Sequence, residues 1–225
     1  MAYGNQASNQ VFDHIVGQIR SGEWKPGMQI DTEAKLCEKL QVSRIAVRQA
    51  IEKLSALQVL TKLQGSGTYV TEFEHSSLMG LVYYPLNKKT MITVLEFRRM
   101  FDPYNTELFI KKCTDEDMHL LEKNYEKMLG SADNVMQFRF YDNEFHHIIA
   151  QGTHNVMIAQ LSALMTDLLT DYQMALYHST GPDHAIKYHG MILESIREKN
   201  LELAYIYSKT HIDNSLNSIL ERPDE

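Results

Sequence analysis

Apolar side chains recur every three or four residues along most of the chain, which is the spacing of amphipathic helices. The first such run contains Val11, Ile15 and Ile19, and it follows a small, polar segment, residues 1–8, that we expect to be a loose lead-in. Strand-like runs are confined to residues 59–71. The pattern therefore predicts a mainly α protein that carries one small β-hairpin.

Residues 32–54 have the pattern of two short helices joined by a tight turn. Thr32 gives the cap signal of the first helix, and Ser43 can cap the second by accepting a hydrogen bond from a backbone N–H. The apolar positions of the second helix fall on one face and are Val47, Ala50, Ile51 and Leu54. This arrangement is typical of a helix-turn-helix.

A hairpin pattern follows the two helices. Residues 59–63 and 68–71 are β-prone and flank Gln64-Gly-Ser-Gly67, whose glycines allow close approach of the backbone to a ligand. The combination predicts an N-terminal winged helix-turn-helix domain over residues 1–71. Residues 72–84 lose both periodicities and are predicted to be a linker.

The rest of the chain, residues 85–225, shows only helical patterns and is predicted to be a C-terminal all-α helical bundle. A kink is expected at Asp102-Pro103, and a break is expected at Gly181-Pro182, where proline would stand near a helix start. The predicted helices are 91–113, 114–130, 134–150, 155–177, 182–200 and 201–220.

Charge is distributed unevenly between the two halves. The net charge of −7 alone argues against nucleic-acid binding. However, residues 1–70 hold eight Lys/Arg and six Asp/Glu, net +2, whereas residues 71–225 hold fourteen and twenty-three, net −9. A modestly basic module beside an acidic one suits phosphate contacts made by the first module alone.

Arg44 and Arg48 lie one turn apart at the N-terminal end of the second short helix. In a recognition helix this end enters the major groove, where arginine can fork onto guanine O6 and N7. The alternative is a surface helix with two solvated arginines. The predicted DNA contacts are Ser43, Arg44, Ile45, Ala46 and Arg48 on the helix, with Gly65, Ser66 and Gly67 of the wing near the minor groove.

A carboxylate and three histidines occupy inward positions of three predicted helices. Asp142 stands in a stripe that otherwise holds hydrophobic residues, and His146 lies one turn beyond it. His189 and His211 take similar positions on two later helices. Imidazole and carboxylate ligands suit a divalent metal ion, here zinc, with nickel or manganese as alternatives. The other interpretation is that each histidine is a hydrogen-bonded core residue.

Residues 10–71 contain a series of short motifs, each of which occurs once. They are Ile19-Arg-Ser-Gly22, Pro26-Gly27, Glu33, Leu36, Val42-Ser-Arg44, Val47-Arg48, Leu54 and Gly65-x-Gly67-Thr-x-Val70. In these positions the segment resembles the GntR family of bacterial transcription regulators, which implies operator binding and adds Glu33 to the DNA contacts. Ala34, Gln41 and Ile45-Ala46 depart from the family pattern, and these departures bear on the operator sequence.

The second half carries Glu96-Phe-Arg-Arg99, Asp142-x-x-Phe145-His146, Asn155, His189 and His211. With these motifs residues 91–220 resemble the FCD effector domain of the FadR-type branch of that family. The resemblance implies that Asp142, His146, His189 and His211 ligate the metal ion. We assign effector binding to Arg98, Arg99, Asn155 and Asn214. His147, His154, His178 and His184 match nothing in the family pattern.

The predicted function is transcription regulation by a repressor, not enzymatic catalysis. We expect a homodimer that binds a palindromic double-stranded DNA operator and responds to a small organic acid, held by the metal ion and by Arg98. The alternative for Arg98 and Arg99 is surface ion pairing. Two other functions fit the residues: a helical metal-dependent hydrolase, and a DNA-binding protein whose bundle only dimerises.

Cysteine usage and hydropathy indicate the compartment. Cys37 and Cys113 form no CxxC pair, and no apolar run approaches the roughly 18 residues that a membrane span needs. The sequence therefore predicts a soluble, cytoplasmic protein that makes no membrane contact.

Overall fold

The chain forms two compact units, Met1–Pro85 and Leu86–Glu225, in a computed structural model. The structure describes the backbone of residues 2–85, 87–169 and 173–221, and the side chains of residues 6–85, 87–169 and 182–221. The predicted mainly α fold, with one small two-stranded sheet, is confirmed. Among the described residues, no helix is long and apolar enough to cross a membrane.

The first unit is a winged helix-turn-helix. Its elements are α1 (Ala2–Arg20), α2 (Glu33–Leu40), α3 (Arg44–Ala56), β1 (Leu60–Leu63) and β2 (Gly67–Val70). The two strands are antiparallel, with Leu60 opposite Val70 and Leu63 opposite Gly67. Ile15 of α1 and Leu54 of α3 are fully buried in one core, because helical spacing puts the apolar residues of each helix on a single face.

Side chains and one strained turn fix the helix-turn-helix. The Thr32 hydroxyl accepts from the backbone N–H of Lys35, and the Ser43 hydroxyl accepts from that of Ala46. Gln41 ends α2 with φ of 54°, in the left-handed region that favours glycine. Gln41 therefore departs from the family pattern at a position whose backbone conformation favours glycine.

One N-terminal expectation differs from the structure. Residues 1–8 were expected to be a loose lead-in, but α1 begins at Ala2. Ser8 is only 4% exposed, because it precedes Val11 by three residues and lies on the same helix face. The helix therefore starts well before its first strongly apolar residue.

Residues 72–84, predicted to be a linker, form two 3-10 helices, Phe73–His75 and Leu78–Tyr83. The segment belongs to the first unit, where Tyr84 is 4% exposed and its hydroxyl donates to the Thr71 carbonyl at 2.9 Å. Arg20 also donates to the Val82 carbonyl at 2.8 Å. The buried Tyr84 side chain attaches this segment to the first unit. The apolar residues of the segment do not recur at helical or strand spacing, so the sequence pattern did not indicate that it is packed.

The second unit is all-α in the described residues. Its helices are α4 (Lys88–Lys112), α5 (Asp115–Leu129), α6 (Val135–Gly152), α7 (Val156–Leu169), α8 (Gln173–Arg197) and α9 (Leu201–Leu220). Helix α9 packs against both α4 and α8, and α5 packs against α6. Phe109, Phe145 and Ile192 lie in its core, so α4, α6 and α8 converge beneath the surface.

The predicted break at Gly181-Pro182 is wrong, because α8 runs continuously from Gln173 to Arg197. The structure describes the preceding helix as far as Leu169, and residues 170–172 lie outside the described residues. Proline fixes φ near about −65°, a helical value, so a helix can continue through it despite the loss of one hydrogen bond and the crowding of its ring against the preceding turn. Helix α4 contains Pro103 in the same way.

Candidate DNA interface and metal centre

Helix α3 has one face in the core and one in solvent. Ala46, Val47, Ala50, Ile51 and Leu54 are its buried residues. Arg44, Ile45 and Arg48 are exposed at its N-terminal end. Ala46, predicted to contact DNA, is only 3% exposed, so its side chain faces the core and leaves the outer face to the other three.

Glu33 of α2 reaches the recognition helix. Its Oε2 accepts a hydrogen bond from Nε of Arg48 at 2.9 Å, and the two side chains are 38% and 63% exposed. The hydrogen bond from Glu33 raises the pKa of the Arg48 guanidinium. Glu33 thus restrains the direction of Arg48 in the free protein, a role that its spacing in the sequence did not reveal.

The tip of the wing is held close to the preceding loop. The Gln29 side-chain amide donates to the Ser66 carbonyl at 2.8 Å. Gly65 and Gly67 have φ of 74° and 137°, and a Cβ on Gly67 would collide with the Gln29 amide. The positive φ values favour glycine at both positions, and the predicted wing residues form a tight, exposed turn.

The four predicted metal ligands come together in the second unit. Helix α6 carries Asp142 and His146, α8 carries His189, and α9 carries His211. One donor atom from each lies within 4.8 Å of the other three. His189 is fully buried and His211 is 6% exposed, so the cluster lies inside the bundle.

The donor spacing fits a divalent ion. Nε2 of His146 and Nε2 of His189 are 3.2 Å apart. Two nitrogens that each lie about 2.0–2.1 Å from a tetrahedral ion are separated by about 3.4 Å. Nδ1 of His189 and Nδ1 of His211 have no hydrogen-bond partner among the described residues. Buried nitrogens without a partner are rare in folded proteins, and a cation held by this cluster would account for them.

Burial sets the protonation of the cluster. It raises the pKa of Asp142 to about 6, although Arg98 opposes the shift. It lowers the pKa of His189 to about 3, with a further contribution from Arg98. Burial also holds the pKa values of His146 and His211 well below the usual value. At pH 7 the three imidazoles are therefore neutral, which is the form that binds metals.

Asp102 is a buried neighbour of this cluster. The sequence indicated only a kink at this residue. Its Oδ2 accepts from Nε and Nη2 of Arg98 at 2.9 and 2.6 Å. The same oxygen lies 3.5 Å from Nδ1 of His146. A carboxylate behind a ligating imidazole orients the ring and raises its basicity. The four-residue spacing from Arg98 was the available sequence signal, because it puts both side chains on one face of α4.

Asp102→Asn is expected to weaken metal binding by about 10–100-fold, the usual cost of losing a partner behind a ligand. Competition between the protein and a chromophoric chelator for Co²⁺ would measure the effect, and the absorption of bound Co²⁺ would report a disturbed ligand field. Asp102→Glu should restore much of the affinity. Asp115→Asn, which alters an exposed carboxylate, is the control. Unchanged affinity in Asp102→Asn would contradict this role.

The predicted effector residues separate into two groups. Arg98 is inward, with 11% of its side chain exposed, and lies next to the cluster through Asp102. Arg99 is 47% exposed and pairs with Asp213 on α9, which fits the surface-ion-pair alternative. Only Arg98 of the two arginines is therefore positioned to reach a molecule at the metal centre.

The two predicted asparagines differ in placement. Asn155 is exposed, and its Oδ1 accepts from the backbone N–H of Met157 at 3.0 Å, so it caps the start of α7. Its side-chain hydrogen bonds among the described residues are with Met157 and Ile158, which are its neighbours along the chain. Asn214 is half-buried on α9, one turn after His211. The Asn155 motif thus has a local structural explanation.

Two side chains beyond the predicted set lie beside the histidines. The ring of His184 stacks over that of His211 at 6.3 Å between centroids, and Tyr188 lies 4.7 Å from His184. Burial lowers the pKa of His184. His154 is exposed and bonds to Asp117 at 3.0 Å, whereas the His178 side chain lies outside the described residues. His184 lies five residues before His189, and residues that share a helix face are three or four apart, so the spacing did not indicate that His184 lies near the cluster.

The two units match known domain families. Residues 93–214 match the FCD domain, and residues 7–70 match the family described as "Bacterial regulatory proteins, gntR family". The FCD match spans more than half of the chain and contains all four clustered ligands.

Individual relatives agree with these matches. The chain is 31% identical to the HTH-type transcriptional regulator LutR of Bacillus subtilis, over 68% of this chain and 71% of LutR. It is 25% identical to the Glc operon transcriptional activator of Escherichia coli, over 90% of this chain and 84% of that protein. The solved structure of Lar, which controls expression of the Listeria monocytogenes agr system, has a TM-score of 0.73 and 15% identity, covering 96% of this chain and 97% of Lar.

The family matches, the relatives and the winged-helix fold agree on one type of protein. Lar, at low identity, supports the fold alone. The matched families and the sequence relatives are transcription regulators, so the hydrolase alternative is not supported. The chain belongs to the GntR family of bacterial transcription regulators, in the FadR-type branch with an FCD domain, and is a DNA-binding regulator rather than an enzyme.

Proposed function

We propose that this regulator is a repressor whose helical domain holds a divalent metal ion and binds a small carboxylate metabolite that changes its affinity for the operator. The observation that carries the proposal is an inward arginine, Arg98, beside a buried cluster of one carboxylate and three neutral imidazoles. A buried positive charge next to a cation site favours an anionic ligand that can contact both.

Asp142, His146, His189 and His211 would hold the metal ion. Three imidazoles and one carboxylate suit zinc, and nickel or manganese accept the same ligand types. A bound divalent cation would supply a Lewis-acidic point for a carboxylate oxygen. The chain's own residues fix the histidine rings: Phe145 lies 4.3 Å from His189 between ring centroids, and Asp102 lies behind His146.

Arg98 supplies the second point of recognition. Its guanidinium is held by Asp102 through Nε and Nη2, so its direction is fixed before a ligand arrives. Guanidinium offers five N–H donors, and those that Asp102 does not use remain for a carboxylate. The proposed ligand class is therefore a hydroxy, keto or dicarboxylic acid small enough to enter a helical bundle.

Arg98→Lys is expected to lower the affinity for the acid by about 10-fold or more. Lysine keeps the positive charge but cannot donate two parallel hydrogen bonds to one carboxylate as guanidinium does. Titration calorimetry of metal-loaded protein against a panel of hydroxy, keto and dicarboxylic acids would measure this. Arg99→Lys is the matched control and should bind as the parent does, since Arg99 faces solvent. Equal affinities for the parent and Arg98→Lys, or binding that chelator treatment leaves unchanged, would contradict the proposed site.

The DNA contacts are proposed to be Glu33, Ser43, Arg44, Ile45 and Arg48, with Gly65, Ser66 and Gly67 of the wing. A homodimer would present two such surfaces to a palindromic operator, since two-fold protein symmetry matches two-fold DNA symmetry. A dimer bound at a promoter excludes other proteins from the same DNA and needs no further surface to repress.

Transcription from a promoter that carries the bound site tests the direction of control. Lower output with the protein than without it is the result for a repressor. Higher output would instead match the direction in the name of the Glc operon transcriptional activator, a relative at 25% identity.

The second candidate function of the helical domain is dimerisation alone. The exposed apolar side chains Met100, Tyr104 and Ile206 on α4 and α9 support an interface. Elemental analysis and a thermal-shift screen of organic acids separate the two functions. Bound metal together with acid-dependent stabilisation supports the sensing domain, whereas absence of both supports dimerisation alone.

A further inference from the structure

Ile45 is the most exposed large hydrophobic side chain in the described part of the chain, at 70%. It is the second residue of α3 and lies one turn before Arg48. Its neighbours Ala46 and Val47 are buried in the core, with 3% and 0% of their surface exposed. Packing within the free winged-helix unit therefore does not explain an isoleucine at this position.

Helix stability does not explain it either. A β-branched side chain loses rotamer freedom against the preceding turn, so isoleucine has a lower helix propensity than alanine or a long straight side chain. Arginine, lysine or glutamine would serve a solvent-exposed helix position better. A contact outside the free protein would account for the residue.

The major groove offers a matching surface. Thymine presents its C5 methyl group there, whereas the guanine and cytosine edges present hydrogen-bond donors and acceptors. Isoleucine has no hydrogen-bonding group. Packing it against a guanine or cytosine edge would remove water from polar atoms without replacing their hydrogen bonds, which is unfavourable. Contact with the thymine methyl removes two apolar surfaces from water and is favourable.

The position of Arg48 limits where this thymine can lie. Ile45 and Arg48 are separated by about 4.5 Å along the helix axis, compared with about 3.4 Å between successive base pairs. Arg48 is restrained by Glu33 through the 2.9 Å hydrogen bond. Bases read by the two side chains would therefore be adjacent or one base pair apart.

We propose that Ile45 is a specificity-determining residue that packs against the methyl group of one thymine in each operator half-site, adjacent to or one base pair removed from the base pair that Arg48 contacts. This inference rests on the proposed placement of α3 in the major groove. It assigns a distinct role to a position at which this chain departs from the family pattern.

Selection of binding sites from a random double-stranded DNA pool supplies the first test, using the full-length parent, Ile45→Ala and Ile45→Val. The parent and Ile45→Val should enrich a thymine at the inferred position. Ile45→Ala, whose smaller side chain buries less of the methyl group, should enrich the same half-site with a weaker preference at that position. An unchanged thymine preference in Ile45→Ala would overturn the inference.

Replacement of that thymine by deoxyuridine removes only the methyl group and supplies the second test. Loss of one buried methyl group should weaken binding of the parent by about fourfold per half-site. Ile45→Ala should lose less affinity than the parent when thymine is replaced by deoxyuridine. If no thymine in the selected site shows a methyl effect that depends on Ile45, the inference is wrong.

Arg48→Ala separates this result from failure of the underlying DNA contacts. If Arg48→Ala binds as the parent does, the placement of α3 is wrong and the inference about Ile45 fails with it. If Arg48→Ala weakens binding while the deoxyuridine effect is the same in the parent and in Ile45→Ala, only the inference about Ile45 is overturned. Circular dichroism of each variant checks that the helices are retained.

Discussion

His189→Ala is expected to abolish metal binding at micromolar concentrations of the ion. His189 is fully buried at the centre of the cluster, with ring centroids 5.0 Å from His146 and 4.5 Å from His211. Loss of a ligand should exceed the about 10–100-fold cost of losing a partner behind a ligand. Elemental analysis after equilibrium dialysis against zinc would measure the stoichiometry, which should fall from about one ion per chain to none.

Two variants control this experiment. His119→Ala removes an exposed histidine of α5 and should leave the metal content unchanged. His189→Gln keeps most of the side-chain volume, so it separates loss of a ligand from a cavity in the core. Full metal content in both His189 variants, with intact helices by circular dichroism, would show that the cluster does not hold the ion.

Arg48→Ala is expected to abolish specific operator binding at physiological salt while leaving the fold intact. A bidentate arginine contact to guanine contributes about 1–3 kcal/mol of discrimination, and the proposed dimer would lose one contact in each half-site. The side chain is 63% exposed and its partner Glu33 also reaches solvent, so the core does not depend on it. Fluorescence anisotropy with the selected operator would measure the change.

Arg197→Ala is the charge-matched control, because Arg197 pairs with Glu122 and Glu194 in the helical unit. It should bind the operator as the parent does. Glu33→Gln should have an intermediate effect, since it leaves Arg48 charged but without its anionic partner. Parent-like affinity of Arg48→Ala would contradict the proposed DNA contacts.

The parts of the fold that were predictable are those where side-chain periodicity and packing demand the same arrangement. Val47 and Ile51 on one face of α3, with Ser43 as its cap, specify the recognition helix locally. His189 and His211 were identifiable because a histidine within an apolar stripe must face the bundle interior. The cluster then followed from the convergence of three helices.

The remaining features depend on contacts that the spacing of apolar residues along the sequence does not indicate. Tyr84 anchors an aperiodic segment through a buried hydroxyl, and Pro182 lies within a continuous helix that its sequence suggested should break. Asp102 acquires its role only because α4 lies against the His146 side of α6. Asn155 was predicted from a motif to bind the effector, and the structure gives that motif a local explanation, because its side chain caps α7.

The most direct test of the account is operator affinity measured on the same protein in four states: metal-loaded or chelator-treated, each with and without the acid that calorimetry identifies. We expect the acid to change the operator Kd by about 5–150-fold, the usual range of coupling between two sites. We also expect this change to disappear after chelation and in Arg98→Lys. A single operator Kd in all four states would contradict control of DNA binding by the helical domain.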